Sequence, residues 1–146
     1  MIHDPKTAEA YHLLRCLILV AMADSVLADA EVAVLEHSLR MLGRLDPELW
    51  EQTWAEMQEI RPDPAEVFAA VPEGDSLRRF ILREMSSIAF VDGSCHPQEK
   101  LLLELASSAF GLDAELERFV GWARRAQELY EEGQALLRPG GAATSR

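Results

Sequence analysis

Apolar residues recur at three- and four-residue intervals along nearly the whole chain, and no stretch alternates apolar with polar residues between hairpin signals. That spacing predicts helices, because side chains three and four apart share one helical face. Asp4-Pro5 supplies an N-cap and a first helical residue for a helix with Leu14, Leu17, Ile18 and Ala21 on its inner side. Val32, Leu35, Leu39 and Leu42 form the stripe of a second helix, which Gly43 is placed to end. Asp46-Pro47 opens a third, with Trp50, Trp54 and Met57 on one face, and Arg61-Pro62-Asp63-Pro64 breaks it ahead of a short helix reaching Ala70. After a turn at Pro72-Glu73-Gly74-Asp75, a fifth helix runs from about Ser76 to Phe90, with Leu77, Ile81, Met85 and Ile88 inward. Pro97 opens a sixth, with the stripe Leu101, Leu102, Leu105, Ala106, Ala109 and Phe110 before Gly111. Asp113 caps a seventh carrying Leu116, Phe119, Val120, Ala123 and Tyr130, with Gly121 in its interior. The expected fold class is therefore all-α: about seven helices in a single bundle. Residues 1–137 read as one domain, and residues 138–146, rich in Pro, Gly and small residues, as a disordered tail.

The pattern also repeats. Shifted by 68 residues, Leu14, Arg15, Ala21, Asp24, Glu31, Leu35, Glu36 and Gly43 fall on Leu82, Arg83, Ala89, Asp92, Glu99, Leu103, Glu104 and Gly111 without a gap. Apolar positions agree as well: Leu13 with Ile81, Leu17 with Met85, Val20 with Ile88, Met22 with Phe90, and Leu42 with Phe110. The Asp and Gly matches carry the most weight, because common helix formers coincide by chance and these two lie at helix boundaries. Each unit is a helix, a short acidic loop and a second helix, and the two units are expected to pack about a pseudo-two-fold axis. The loops are Ala23-Asp24-Ser25-Val26-Leu27-Ala28-Asp29-Ala30-Glu31 and Val91-Asp92-Gly93-Ser94-Cys95-His96-Pro97-Gln98-Glu99.

An apolar helix ending in (Ala/Val)-Asp-Gly, then a Pro or acidic residue, then Glu and another apolar helix, present twice and matched well by Asp92-Gly93 and Pro97-Gln98-Glu99 of the second unit, resembles the TerB-like tellurite-resistance family and the related N-terminal region of a membrane-anchored J-domain co-chaperone. The likeness covers roughly Ala8 to Tyr130. In the first unit Ser25 replaces the glycine, and Ala28-Asp29-Ala30-Glu31 keeps only the acidic character. The resemblance implies an all-helical bacterial stress-response module that is not an established catalyst. It further implies a divalent cation held by the paired acidic loops, and carried over by position the ligand set is Asp24, Glu31, Asp92 and Glu99.

Oxygen chemistry makes calcium the expected ion, since calcium takes six to eight oxygen ligands from carboxylates and carbonyls. The spacing is not that of an EF-hand. Capping is the simpler account of the same acids: Glu31 and Glu99 fall near the third position of their helices, where a glutamate meets unpaired backbone N–H groups and the positive end of the helix dipole. Asp24 and Asp92 can bond their own turns.

Charge and cysteine usage narrow the remaining classes. With 14 basic and 25 acidic residues the formal net charge is −11. Binding of nucleic acid or an anionic lipid surface is not expected, because both need clustered Lys and Arg. A protein partner is expected, and residues 46–66, with seven acids against Arg61 alone, could dock a basic one. The N-terminus lacks the basic start of a signal peptide, the apolar run Leu13–Ala23 is too short to span a bilayer, and Cys16 and Cys95 form no disulfide pattern. A cytoplasmic location without membrane insertion is the expectation.

Catalysis has no motif behind it. G-x-S-x-G, P-loop and H-E-x-x-H patterns do not occur. Cys95-His96 would suit zinc, but the first unit offers Leu27-Ala28 instead and a zinc site needs about four convergent ligands. His96 reads instead as a cap ahead of Pro97. His12 and Cys16 share a helical face with nothing to complete a site, and His3 and His37 have no recognisable partners. The chain is expected not to be an enzyme.

Overall fold

The computed structural model describes residues 5–23, 47–91 and 95–138. Among them are six α-helices: α1 (Pro5–Ala21), α2 (Pro47–Ile60), α3 (Pro64–Ala69), α4 (Asp75–Ala89), α5 (Pro97–Ala109) and α6 (Leu116–Leu136), with a 3-10 turn at Asp113–Glu115 leading into α6. No strand occurs among the described residues, and the architecture is the expected all-α bundle. The expected helix through Val32 and Leu42, the whole first acidic loop from Asp24, the Asp92-Gly93-Ser94 segment and residues 139–146 of the expected tail lie outside the described residues.

Local chemistry accounts for the helix ends. Four of the six helices begin at a proline, whose fixed φ suits the first turn and whose missing N–H would have no intrahelical acceptor there. Asp63 caps α3, its Oδ1 accepting from the N–H of Ala65 at 3.3 Å. α2 stops where Arg61 adopts a left-handed φ of 50° and Pro62 follows. α5 stops at Gly111, with φ 72°. There the N–H of Leu112 donates to the Ser107 carbonyl at 2.7 Å and the N–H of Gly111 to that of Ser108 at 3.2 Å, the paired bonds of a Schellman motif.

α1 is the central helix. Ala10, Leu13, Leu14, Cys16, Leu17, Ile18, Val20 and Ala21 have no solvent exposure, so α1 is covered around most of its circumference. It packs most extensively against α4 and next against α2, while α3 lies against α5 and α6 against α4. The repeat is visible in burial: Leu13 and Ile81, Leu14 and Leu82, Leu17 and Met85, Val20 and Ile88, and Ala21 and Ala89 are all 1% exposed or less. The first helices of the two units thus form the central pair of the bundle. Each fully buried leucine or isoleucine along that seam contributes about 1.5–3 kcal/mol of transfer free energy.

The inner face of α5 differs from the sequence expectation. Leu101 and Leu105 are 59% and 48% exposed, and Ala109 is exposed too. Ala106 and Phe110 face inward as expected, and Glu99, Leu103 and Ser107 join them there. The small residues Ala106 and Ser107 sit on the buried face, and Phe110 meets Phe68 of α3 edge-on with centroids 6.0 Å apart. Tyr130, expected on the inner side, is 61% exposed, because the later turns of α6 run past the core. Trp50 and Trp54 are only half-buried. They rest on the core rather than within it, 5.6 Å apart, while Met57 is fully inside.

Candidate functional site

Of the four expected ligands, only Glu99 lies among the described residues; Asp24, Glu31 and Asp92 fall outside them. Glu99 occupies the third position of α5 behind Pro97, as its sequence spacing requires. Its Oε1 accepts from the backbone N–H of His96, the N-cap residue, at 3.0 Å, forming the glutamate half of a capping box. The carboxylate is 2% exposed and stands at the positive end of a thirteen-residue helix. Capping is therefore its observed role. Among the described residues no group of three or more His, Cys, Asp or Glu side chains is placed to hold a metal ion.

The thiols sit in contrasting surroundings. Cys95 is partly exposed next to the N-cap, with Sγ 3.7 Å from the carbonyl oxygen of His96. Cys16 is wholly buried in the α1 core, and desolvation pushes its thiol up to about 12, against a weaker opposing pull from Arg15. A thiol in that state supplies no thiolate near neutrality, so Cys16 and His12 do not make a reactive pair.

A polar cluster joins α1 to α2. The Tyr11 hydroxyl donates to Glu56 Oε2 at 2.6 Å, and Arg15 Nε lies 3.7 Å from the same oxygen. The Arg15 guanidinium also stands 5.3 Å from the Tyr11 ring centroid. Desolvation, the Glu56 hydrogen bond and the Glu56 charge hold the Tyr11 hydroxyl above its usual range against the pull of Arg15. Desolvation first, and then the Arg15 charge, hold His12 below its ordinary value. His12 Nδ1 and Thr53 Oγ1 are buried without a hydrogen-bond partner among the described residues. The cluster anchors α2 to the central helix and favours the neutral form of His12.

The outer face of α2 has a different character. The helix contains Glu48, Glu51, Glu56 and Glu59 and neither Lys nor Arg. Glu56 turns toward α1, while Glu48, Glu51 and Glu59 are exposed, as are Asp63 and Glu66 just beyond. Leu49, Thr53 and Met57 form the opposite, buried face. Sequence reasoning located this acidic segment. It missed a second feature, the convergence of Arg79, Arg83, Arg118 and Arg125 on one groove between α4 and α6.

The family profile described as tellurite resistance protein TerB matches residues 12–119. The chain belongs to the TerB family. The matched span of this TerB-family chain runs from the middle of α1 to the first turn of α6 and contains both units of the repeat. Comparisons with curated proteins and with solved structures returned no match. No helix among the described residues is long and apolar enough to cross a membrane.

Proposed function

We propose that this TerB-family domain is a binding module of a tellurite-resistance-type stress response, acting without catalysis, and that it docks a basic protein partner on the outer face of α2. The observation that carries this reading is the one-sidedness of that helix: exposed glutamates on one face, core contacts on the other, and no cation in fourteen residues. Glu48 suits the first turn and Glu56 the contact with α1, but Glu51 and Glu59 serve neither, and like charges three or four apart weaken a helix by a few tenths of a kcal/mol per pair. A partner with lysines or arginines would relieve it and would be steered toward it by the net charge of −11. The capping role of Glu99 supports the reading from the other side, because it accounts for one of the four loop acids without an ion.

Two measurements test it. A lysine-rich peptide titrated by fluorescence anisotropy should bind the wild type, bind more weakly as salt rises, and lose affinity in the double reversal Glu51→Lys/Glu59→Lys; binding that survives the reversal overturns the docking surface. The competing reading is that a divalent cation, calcium by donor type, joins the two loops through Asp24, Glu31, Asp92 and Glu99. It requires thermal stability to rise by about 2.7 kcal/mol at a hundredfold excess of ion over Kd, and the rise to vanish in Asp92→Ala. The docking reading expects calcium, magnesium and manganese to leave the unfolding midpoint where chelator leaves it.

A further inference from the structure

We propose that the groove between α4 and α6 recognises an acidic peptide segment of a partner protein, a site separate from the α2 face. The groove has a volume of about 530 Å³ and is lined by four arginines and two glutamates, in a chain whose net charge is −11. Asp75 and Glu84 pair with Arg79 and Arg83, at 2.7 and 2.8 Å, so the place open to a further carboxylate is set by the individual arginines and not by a net positive field. Its Gly121, Trp122 and Arg125 lie beyond the residues that match the family profile.

The groove already holds one carboxylate. Arg79 donates from Nη1 and Nη2 to the two oxygens of Glu115, at 2.8 and 2.6 Å, and Arg118 adds a third bond at 3.2 Å. This is the fork-to-carboxylate geometry that makes arginine the preferred reader of acidic side chains. The remaining two cations are differently disposed. Arg83 is held over Phe80 and Trp122, at 5.2 and 5.7 Å, with Nε bonded to Glu84 at 2.8 Å. The Arg125 guanidinium makes no ion pair or hydrogen bond with any described residue, and its Nη1 lies 3.4 Å from where a Cβ on residue 121 would stand. That residue is glycine, inside a helix where alanine would be more stable, and its missing side chain leaves the space beside the Arg125 guanidinium open.

Trp122, 39% exposed, supplies an apolar wall beside these cations. An exposed tryptophan beside an arginine with no acid partner among the described residues is the chemistry of a protein-recognition hot spot. The mixture selects the occupant: a glutamate or aspartate for Arg125, with an apolar neighbour lying on Trp122. A long polyanion is disfavoured by the charge of the rest of the chain, and a bare phosphate would leave the tryptophan wall unused.

Nuclear magnetic resonance titration of the full chain with a blocked hexapeptide of alternating glutamate and leucine tests the proposal. The peptide should shift the Trp122 indole N–H and the Arg125 side-chain signals saturably. Affinity should fall about tenfold or more in Arg125→Ala, the loss expected for one charge-assisted hydrogen bond. Arg125→Lys should recover part of it, and the thermal midpoint of Arg125→Ala should match the wild type, showing an intact fold. Three results overturn the proposal: no saturable shift at millimolar peptide, equal affinity in Arg125→Ala, or inorganic phosphate binding as tightly as the peptide. Concentration-dependent association of the protein alone, abolished by Arg125→Ala, would assign the groove to a second copy of this chain and overturn it as well.

Discussion

Substituting Glu99 separates a helix cap from an ion ligand. Glu99 is only 2% exposed, and Glu99→Ala leaves the half-buried His96 N–H without its acceptor. Losing an N-terminal cap typically costs about 0.5–2 kcal/mol. Removing a carboxylate from the positive end of a helix adds about 0.3–1 kcal/mol, and nearer ~2 where the site is partly buried. The expected loss for Glu99→Ala is therefore about 1–3 kcal/mol. Glu99→Gln keeps an oxygen acceptor and removes only the charge, so it should lose only that charge contribution and stay below the loss of Glu99→Ala by about 0.5–2 kcal/mol, the worth of the cap. For a chain of this size each kcal/mol moves the midpoint by about 2–4 °C, which makes the two variants distinguishable by thermal melts at pH 7 in chelator. Equal losses in the two variants, or none in either, would refute the capping argument. A calcium-dependent rise in the wild type that both variants lack would show that the carboxylate also binds the ion.

Three further outcomes follow from the geometry. Leu103→Ala should cost about 2–5 kcal/mol in urea unfolding, whereas Leu101→Ser and Leu105→Ser should stay within about 0.5 kcal/mol of wild type; reversed magnitudes would restore the inner face of α5 expected from sequence. Because burial and then Arg15 lower the His12 pKa below 6.5, the unfolded chain takes up that proton before the folded one does. Its contribution to stability is thus fully present above about pH 6.5 and shrinks as pH falls toward the lower folded value. The difference between urea midpoints at pH 7.5 and pH 5.5 should narrow in His12→Gln, and an unchanged difference would rule His12 out as its source. A thiol-specific disulfide reagent should modify the native protein once, at Cys95, and reach Cys16 only on unfolding, because burial leaves Cys16 protonated at neutral pH. Rapid modification of both thiols in the native protein would contradict the packing of α1.

The sequence already contained the features whose causes are local. Pro5, Pro47, Pro64 and Pro97 open helices where their neighbours said they would, because a cap and a fixed φ act on adjacent backbone groups. Gly111 ends α5 for the same reason, and Glu99 caps it from three residues away. The repeat was legible because α1 and α4 keep matching apolar faces at matching intervals.

What sequence alone left undecided depends on directions in space. Leu101, Leu102, Leu103 and Leu105 crowd one stretch of α5, so apolarity cannot choose among them; the approach of α3, α4 and the central helix does. The arginine groove could not be read from composition, since an excess of acids conceals it in the net charge. Arg79 and Glu115 are separated by 36 residues and meet only because α6 lies back across α4. Helix starts, stops and amphipathic faces follow from covalent neighbours and a 3.6-residue period, so one dimension suffices to specify them. Which charges share a groove is set by how the helices pack, and tertiary structure alone decides that.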